Sequence, residues 1–248
     1  MRGWFPVFYR EMLLFRRRLA KLGFVFSSLF VPFLYLLAFG LGLGRSVRLP
    51  GAGGSYLHFL LPGLVAMSSM TNAFNSVAIN LNMGRNYFRT FQVLVQVPVR
   101  PLDVAAGEML AGVVRGLFAS GLILGAGWIL GGPSPVHVPF AAALLLNCVL
   151  FAGLGLVVGM ATRHLEDTST FSNFIIMPMA FFGGTFFPVD RMPGWLAPLV
   201  RLLPLTHTNI LIRKPAMDAE GWCALAVLAA YAAVFTAWGA RLVRNYSE

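Results

Sequence analysis

The chain has 248 residues, of which 58% are hydrophobic and only 11% charged, with a formal net charge of +10. A soluble domain carries roughly 25% charged residues, so this composition excludes an ordinary water-soluble protein and points to the bilayer. No basic stripe is interleaved with aromatics as nucleic-acid binding requires, and the basic surplus fits the cytoplasmic loops of a membrane protein instead.

Residues 3–20 open the chain. At about 100° per residue, Trp4, Phe8, Met12, Phe15 and Leu19 share one side, with Arg10, Arg17 and Lys21 opposite. The pattern predicts an amphipathic helix in the membrane interface, where Trp4 and Tyr9 are at home. A plain solvated charge run ahead of a span is the alternative. A first span is expected over 22–44, a run too long for a signal-peptide core. A Gly- and Pro-rich loop follows at 45–56. The second span, 57–83, is polar for lipid, and Ser68, Asn72, Asn75 and Ser76 share one helical face. That face belongs either on a water-filled path or in hydrogen bonds between helices.

Residues 84–103, GRNYFRTFQVLVQVPVRPLD, then interrupt the apolar sequence with Arg85, Arg89, Arg100 and two prolines. They predict a cytoplasmic helix between two spans, placed to receive a push from a partner protein. The third span is expected over 105–130. Glu108 lies in its first turn, where the helix dipole favours an acid. Arg115 lies deeper on the same face. An Arg there costs ~2.5–3.5 kcal/mol on insertion scales, so it snorkels inward or pairs with Glu108. Gly112 and Gly116, then Gly121 and Gly125, are spaced for close helix contact, as are Gly155 and Gly159 in a fourth span at 139–161.

A short polar loop at 162–170 holds Arg163, His164, Glu166 and Asp167. A fifth span is expected over 171–187. Residues 188–213 are too polar and too broken by proline to span, and predict short helices at the far surface or re-entering the membrane. The last span is expected over 221–243. Lys and Arg concentrate on the side of the two chain ends, which puts both termini in the cytoplasm. The expected fold is therefore all-α: one transmembrane domain over 1–248, with six transmembrane helices. An N-terminal amphipathic interfacial helix, a cytoplasmic coupling helix and short extracytoplasmic re-entrant helices complete it.

The usual engines of transport and the usual catalytic motifs are not in this sequence. A P-loop needs Gly-Lys-Ser/Thr, but Lys21 precedes Leu22 and Lys214 precedes Pro215. Ion-coupled carriers bury acids in their spans, and Glu108 is the acid expected nearest to one. His58, His137, His164 and His207 fall near span ends or in loops, outside any HExxH, and no GxSxG occurs. Cys148 and Cys223 form no CxxC pair and suit packing, so neither a metal site nor a catalytic residue is expected.

Two passages resemble the type-2 ABC (ABC-2 type) exporter permeases, and look closest to the lipochitooligosaccharide, or nodulation-factor, and polysaccharide exporter branch. One is PVDRMPGWLAPLVRLLPLTHTNILIR after FFGGTFF, with the Gly-x-x-Phe-Pro turn at Gly184–Pro188 and Leu203, Pro204 and His207 beyond it. The other is RTFQVLVQVPVRPLDVAAGEM, with Gly107 and Glu108 opening the third span. The sequence departs from the family at Gln92, where relatives commonly carry Glu. The resemblance implies a bacterial inner-membrane subunit that pairs with a second copy and with two ATP-binding-cassette subunits. It would be surrounded by membrane lipid, and ATP and Mg would sit on the partner, with no cofactor on this chain. It places the ATPase contact at Tyr87, Arg89, Thr90, Phe91, Gln92, Leu94 and Arg100. A second cytoplasmic contact is expected at Arg163, Glu166 and Asp167, and a substrate path at Ser68, Asn72, Asn75, Ser76, Phe186 and Phe187. The expected cargo is amphipathic: a lipid-linked or lipid-modified glycan, or a lipid-like molecule. Export of hydrophobic drugs or natural products is the alternative, ahead of an intramembrane enzyme or a self-sufficient channel.

Overall fold

A computed structural model describes residues 3–20, 30–43, 56–92, 100–132 and 136–246. Among these residues there are helices and turns but no strand. Three helices are long and apolar enough to cross a membrane by length and composition: Pro101–Ile129 (α4), Val138–Ala161 (α5) and Ala219–Arg244 (α9). Tyr56–Asn86 (α3) is longer than any of them and more polar. At ~1.5 Å per residue it measures about 45 Å from end to end.

α3 is the hub of the bundle. Its neighbours α4 and α5 meet it through glycines, because only a residue without Cβ lets two helix backbones come this close. A Cβ on Gly116 of α4 would stand 2.9 Å from the carbonyl oxygen of Ser69. On Gly155 and Gly159 of α5 it would stand 2.6 Å and 2.8 Å from those of Phe74 and Ala78. A Cβ on Gly112 would meet Val77 at 2.4 Å. Gly121 and Gly125 have the same spacing but face open space. Their expected close contact is not made, because Gly121 lies five residues past Gly116, about 140° around the helix, on a different face of α4.

The helix starts are written locally. Arg100 is extended and Pro101 takes the first helical position of α4, where its missing N–H is not needed. The His137 ring accepts from the Phe140 amide at 3.0 Å to cap α5. The Asp218 carboxylate accepts from the Gly221 amide at 2.7 Å to cap α9.

The N-terminal helix α1 (Trp4–Leu19) packs along α4. Val7, Glu11 and Phe15 are its buried residues, while Phe5, Tyr9, Leu13 and Leu14 are exposed. Arg10, expected on the outward basic face, instead turns inward to two carboxylates. Ion pairing outweighs the amphipathic pattern at this position. The expected first span is covered only by α2, over 30–43, which is π-helical across Leu36–Leu43; residues 22–29 and 44 lie outside the described residues.

A continuous helical run over 165–182 (α6) is α-helical at Leu165–Phe171, π-helical at Ser172–Ile176 and α-helical again at Met177–Phe182. Pro178 has no N–H for the carbonyl of Phe174, and the backbone widens around that gap. The run begins six residues before the expected 171 and stops short of 187, so most of the expected loop 162–170 is helix. Glu166 and Asp167 sit in its first turn, favoured by the helix dipole. Gly184, at φ 82°, turns the chain at the end of α6. Two short helices follow, Ala197–Arg201 (α7) and Pro204–Ile212 (α8), before α9.

Candidate coupling and transport site

At the C-terminal end of α3 the backbone turns sharply. Arg89 sits at φ 51°, in the left-handed region that a residue with a Cβ rarely adopts. Tyr87, Phe88, Arg89 and Thr90 are exposed at this turn, and the Thr90 hydroxyl reaches the Gly84 carbonyl at 3.5 Å. The turn is anchored from behind. Arg85 donates to the carbonyls of Gly159 and Met160 at the end of α5, at 2.9 and 2.5 Å. Its guanidinium lies 5.0 Å from the centre of the Tyr246 ring. Gln92 donates to the Arg85 carbonyl at 3.0 Å.

Phe91, expected as a docking contact, is only 2% exposed and meets Tyr246 edge-on with ring centres 5.3 Å apart. It is an anchor, not a surface, because an aromatic side chain this apolar buries when a partner ring is within reach. Leu94 lies outside the described residues, and Arg100 is exposed at the N-cap of α4.

The same end carries the turn into α6. Asn82, fully buried, donates to the Thr162 carbonyl and hydroxyl at 3.1 and 3.0 Å, and Thr162 and Thr168 share a hydroxyl bond of 2.7 Å. Arg163, Glu166 and Asp167 are exposed just outside this node. Asp167 accepts from the His164 amide at 3.2 Å. The two expected contact segments are therefore joined through Asn82 and Arg85.

Along α3, the four expected polar residues do not share one environment. Asn72 and Asn75 line a cavity of about 430 Å³ with Thr71, Ser172 and Asn173. The Ser172 hydroxyl bonds Asn75 at 3.0 Å, tying the π-helical stretch of α6 to α3. Ser68 is buried away from that space, and Ser76 bonds back to the Ala73 carbonyl at 3.1 Å. Phe186 is also buried, ringed by Tyr35, Phe39 and Phe181 at 5.2–5.3 Å between centres, so it packs the core instead of lining a path. Phe187 is exposed and lines a separate apolar cavity of about 790 Å³.

Glu108 and Arg115 do not bond each other. Arg115 pairs with Glu11 of α1 at 2.8 Å, and Glu108 pairs with Arg10 at 3.0 Å. Arg10 also reaches Glu11 at 2.8 Å, and Asn80 of α3 donates to Glu11 at 3.2 Å. Two bases and two acids thus neutralise one another where α1, α3 and α4 meet. Glu11, Glu108 and Arg115 are buried, and burial of such groups is tolerated because they are paired; Arg10 is partly exposed. Glu11 escaped the sequence reading because it stands among arginines in a helix whose acid appears incidental.

Other buried polar groups sit deeper. Asn147 of α5 donates to Ser69 and the Ala66 carbonyl of α3 at 2.8 and 3.1 Å, and accepts from Thr208 of α8 at 2.8 Å. Asn209 holds the Gly183 carbonyl at 2.7 Å. His207 rests on the Arg201 carbonyl at 2.8 Å. Sequence alone gave no sign of Asn147, a lone polar residue in an apolar run.

Residues 4–216 match the family described as ABC-2 type transporter. The Escherichia coli K12 protein named Inner membrane transport permease YadH is 33% identical over 176 residues, covering 70% of this chain and 68% of that protein. Nodulation protein J of Rhizobium leguminosarum bv. trifolii is 31% identical over 214 residues, covering 85% and 80%. Nodulation protein J of Neorhizobium galegae is 30% identical over 225 residues, covering 87% and 81%.

Proposed function

The chain belongs to the ABC-2 type transporter family, and from that membership we propose that it is the permease half of an exporter for amphipathic molecules. It is a membrane transport subunit of a multi-pass inner-membrane assembly, and ATP hydrolysis falls to a separate ATP-binding-cassette subunit. The proposal adds six spans, both termini in the cytoplasm, and a pair of these chains served by two ATPase subunits. The cargo is a lipid-linked or lipid-modified glycan, or a lipid-like molecule, leaving the cytoplasm or the inner leaflet. ATP-driven closure of the partner would push on the exposed turn at Tyr87–Thr90, with Arg100 flanking it and Arg163, Glu166 and Asp167 as the second contact.

The observation that carries this reading is the build of α3. Its C-terminal end bears an exposed turn braced by Arg85 and Phe91, and its middle lines a cavity with Asn72 and Asn75. A push at the turn thus acts on the helix that borders the cavity. The resemblance of 188–213 to the nodulation-factor exporter branch supports a glycan-bearing amphiphile over a simple hydrophobic drug. Co-expression with candidate ATP-binding-cassette subunits, followed by ATP-dependent uptake of fluorescent glycolipids into inside-out vesicles, tests the assignment. The expected result is uptake that needs both subunits and ATP. Flux through liposomes holding this chain alone would overturn it. Stimulation of the ATPase by small drugs but not by glycolipids would overturn the cargo.

A further inference from the structure

At the end of α3 away from the coupling turn, a cavity of about 250 Å³ opens between the start of α3, α8 and the start of α9. Phe59, Asp190, Arg201, Asn209, Arg213 and Lys214 are among its walls. Lys214 is already occupied, bonded to the carboxylates of Asp218 and Glu220. Arg201 and Arg213 are left with one further carboxylate, Asp190. Among the described residues neither arginine forms an ion pair.

Arg213 is nonetheless held in place. It donates to the carbonyls of Phe59 and Thr185 at 3.2 and 3.5 Å, and its guanidinium lies 3.9 Å from the centre of the Phe59 ring. Gly63 leaves the room for it, since a Cβ there would lie 2.9 Å from the guanidinium nitrogen. The Nε of Arg213 is buried without a partner. Burial pushes the guanidinium down to about 9, which leaves it a cation at neutral pH. Carbonyls and a ring face orient this charge but do not neutralise it, and an uncompensated charge in such a place is costly.

The apolar cavity of about 790 Å³ adjoins this one, and Pro188 walls both. Phe174, Phe181, Phe182, Phe187 and Leu196 line the apolar side, with Arg191 the one cation among its described walls. Few polar groups set against a large apolar wall is the usual make-up of a small-molecule site.

We propose that the two cavities form one site for an anionic amphiphile, with its chain along the aromatic wall and its phosphate-class head group on Arg213 and Arg201. The inference rests on the export reading and narrows its cargo to molecules bearing a negative charge. The anion would supply the counter-charge that Arg213 lacks, and the planar guanidinium suits two oxygens at once. Pro188, standing between the cavities, sets the point where chain gives way to head group.

The test uses the whole chain, purified in neutral maltoside detergent. Heat stability is followed while dodecyl phosphate, inorganic phosphate or dodecyltrimethylammonium is titrated in. Dodecyl phosphate is expected to stabilise the protein saturably, and the cationic analogue is expected to do nothing. Arg213→Gln and Arg201→Gln are each expected to weaken the apparent affinity at least tenfold, and Phe187→Ala several-fold. Among the described residues the Arg201 side chain makes no hydrogen bond or ion pair, so the result of Arg201→Gln stands even where Arg213→Gln fails to fold. Unchanged affinity in Arg201→Gln would overturn the proposal. So would inorganic phosphate binding as tightly as dodecyl phosphate, because the apolar cavity would then contribute nothing. No ATPase is present, so failure here leaves the export reading intact. Intact binding without ATP-driven uptake would instead count against export alone.

Discussion

One guanidinium nitrogen of Arg115 donates both to the Glu11 carboxylate, at 2.8 Å, and to the Glu11 backbone carbonyl, at 3.0 Å. The bond fixes the side chain and the main chain of α1 at the same point. Removing one partner of a buried ion pair typically costs about 3–5 kcal/mol, whereas replacing both is often near neutral. Glu11→Gln is therefore expected to lower the melting temperature strongly. Glu11→Leu with Arg115→Leu is expected to recover part of that loss. Differential scanning fluorimetry of the purified chain measures both, and equal damage by the single and double variants would count against the pairing.

The glycine contacts of α3 predict a split between residues of identical spacing. Gly155→Ala places a methyl 2.6 Å from the Phe74 carbonyl oxygen, a backbone atom that cannot swing aside. Overpacking of this kind costs about 1–3 kcal/mol. Gly121→Ala and Gly125→Ala meet nothing, and are expected to be neutral or stabilising by about 0.5–1 kcal/mol through helix propensity. Thermal unfolding of the three variants side by side separates the two groups.

The coupling role proposed for the turn after α3 predicts two kinds of defect. Tyr87→Ala and Phe88→Ala remove exposed rings and are expected to leave thermal stability unchanged while lowering co-purification of the ATPase subunit. Phe91→Ala removes a buried ring, a change that typically costs about 3–5 kcal/mol in a core, and is expected to lower stability as well. If Phe91→Ala lowers ATPase association with no change in melting temperature, Phe91 is a surface contact after all.

Asn147 serves two helices at once, and its loss leaves Thr208 and Ser69 without a shared partner. A buried polar group left unpaired costs about 1–3 kcal/mol. Asn147→Leu is expected to destabilise by about that amount. Adding Thr208→Val is expected to restore part of it, since the hydroxyl, left with only its long 3.4 Å bond to the Pro204 carbonyl, is then removed.

The start of α9 has a pH signature of its own. Lys214 holds the Asp218 carboxyl below the usual carboxylate range, so its support of the turn is complete above the unfolded value and is lost as pH falls through the depressed folded value. Asp218 and Glu220 raise the Lys214 ammonium. Its contribution is complete below lysine's ordinary value and is lost as pH rises through the raised one. Across neutral pH the cap is therefore flat. The Gly221 amide resonance is expected to stay constant there and to move only in acid and in strong alkali. Asp218→Asn is expected to abolish the acid limb.

Helices were legible wherever the apolar run was long, because length and composition decide them locally. The family was legible from 184–188 and 89–109 for the same local reason. What escaped the sequence is what two distant segments decide together. Arg115 finds its carboxylate 104 residues away, in a helix that reads as basic. Phe91 is buried by Tyr246, near the other end of the chain, so its amphipathic context misreads it as exposed. Gly121 and Gly125 have the right spacing, but spacing permits a contact without supplying the neighbour. The π-helical widening of α6 was encoded by Pro178, yet it shows only once the helix is seen to continue past that residue on both sides.

The glycine seats on α3 also set which parts can slide. A shift of α4 by a single residue would bring Leu117 to the seat of Gly116, against the Ser69 carbonyl, and Val113 to that of Gly112. The same shift of α5 would carry Leu156 toward Phe74. These seams behave like keyed joints, which admit rotation of the whole block but no gliding within it. The α3–α6 seam has no such key; at its π-helical stretch it is held by the Asn75–Ser172 hydroxyl bond and lies open to the cavity beside it. Of these three seams among the described residues, α3–α6 is therefore the one that can glide, as a door moves at its hinge and not through its planks.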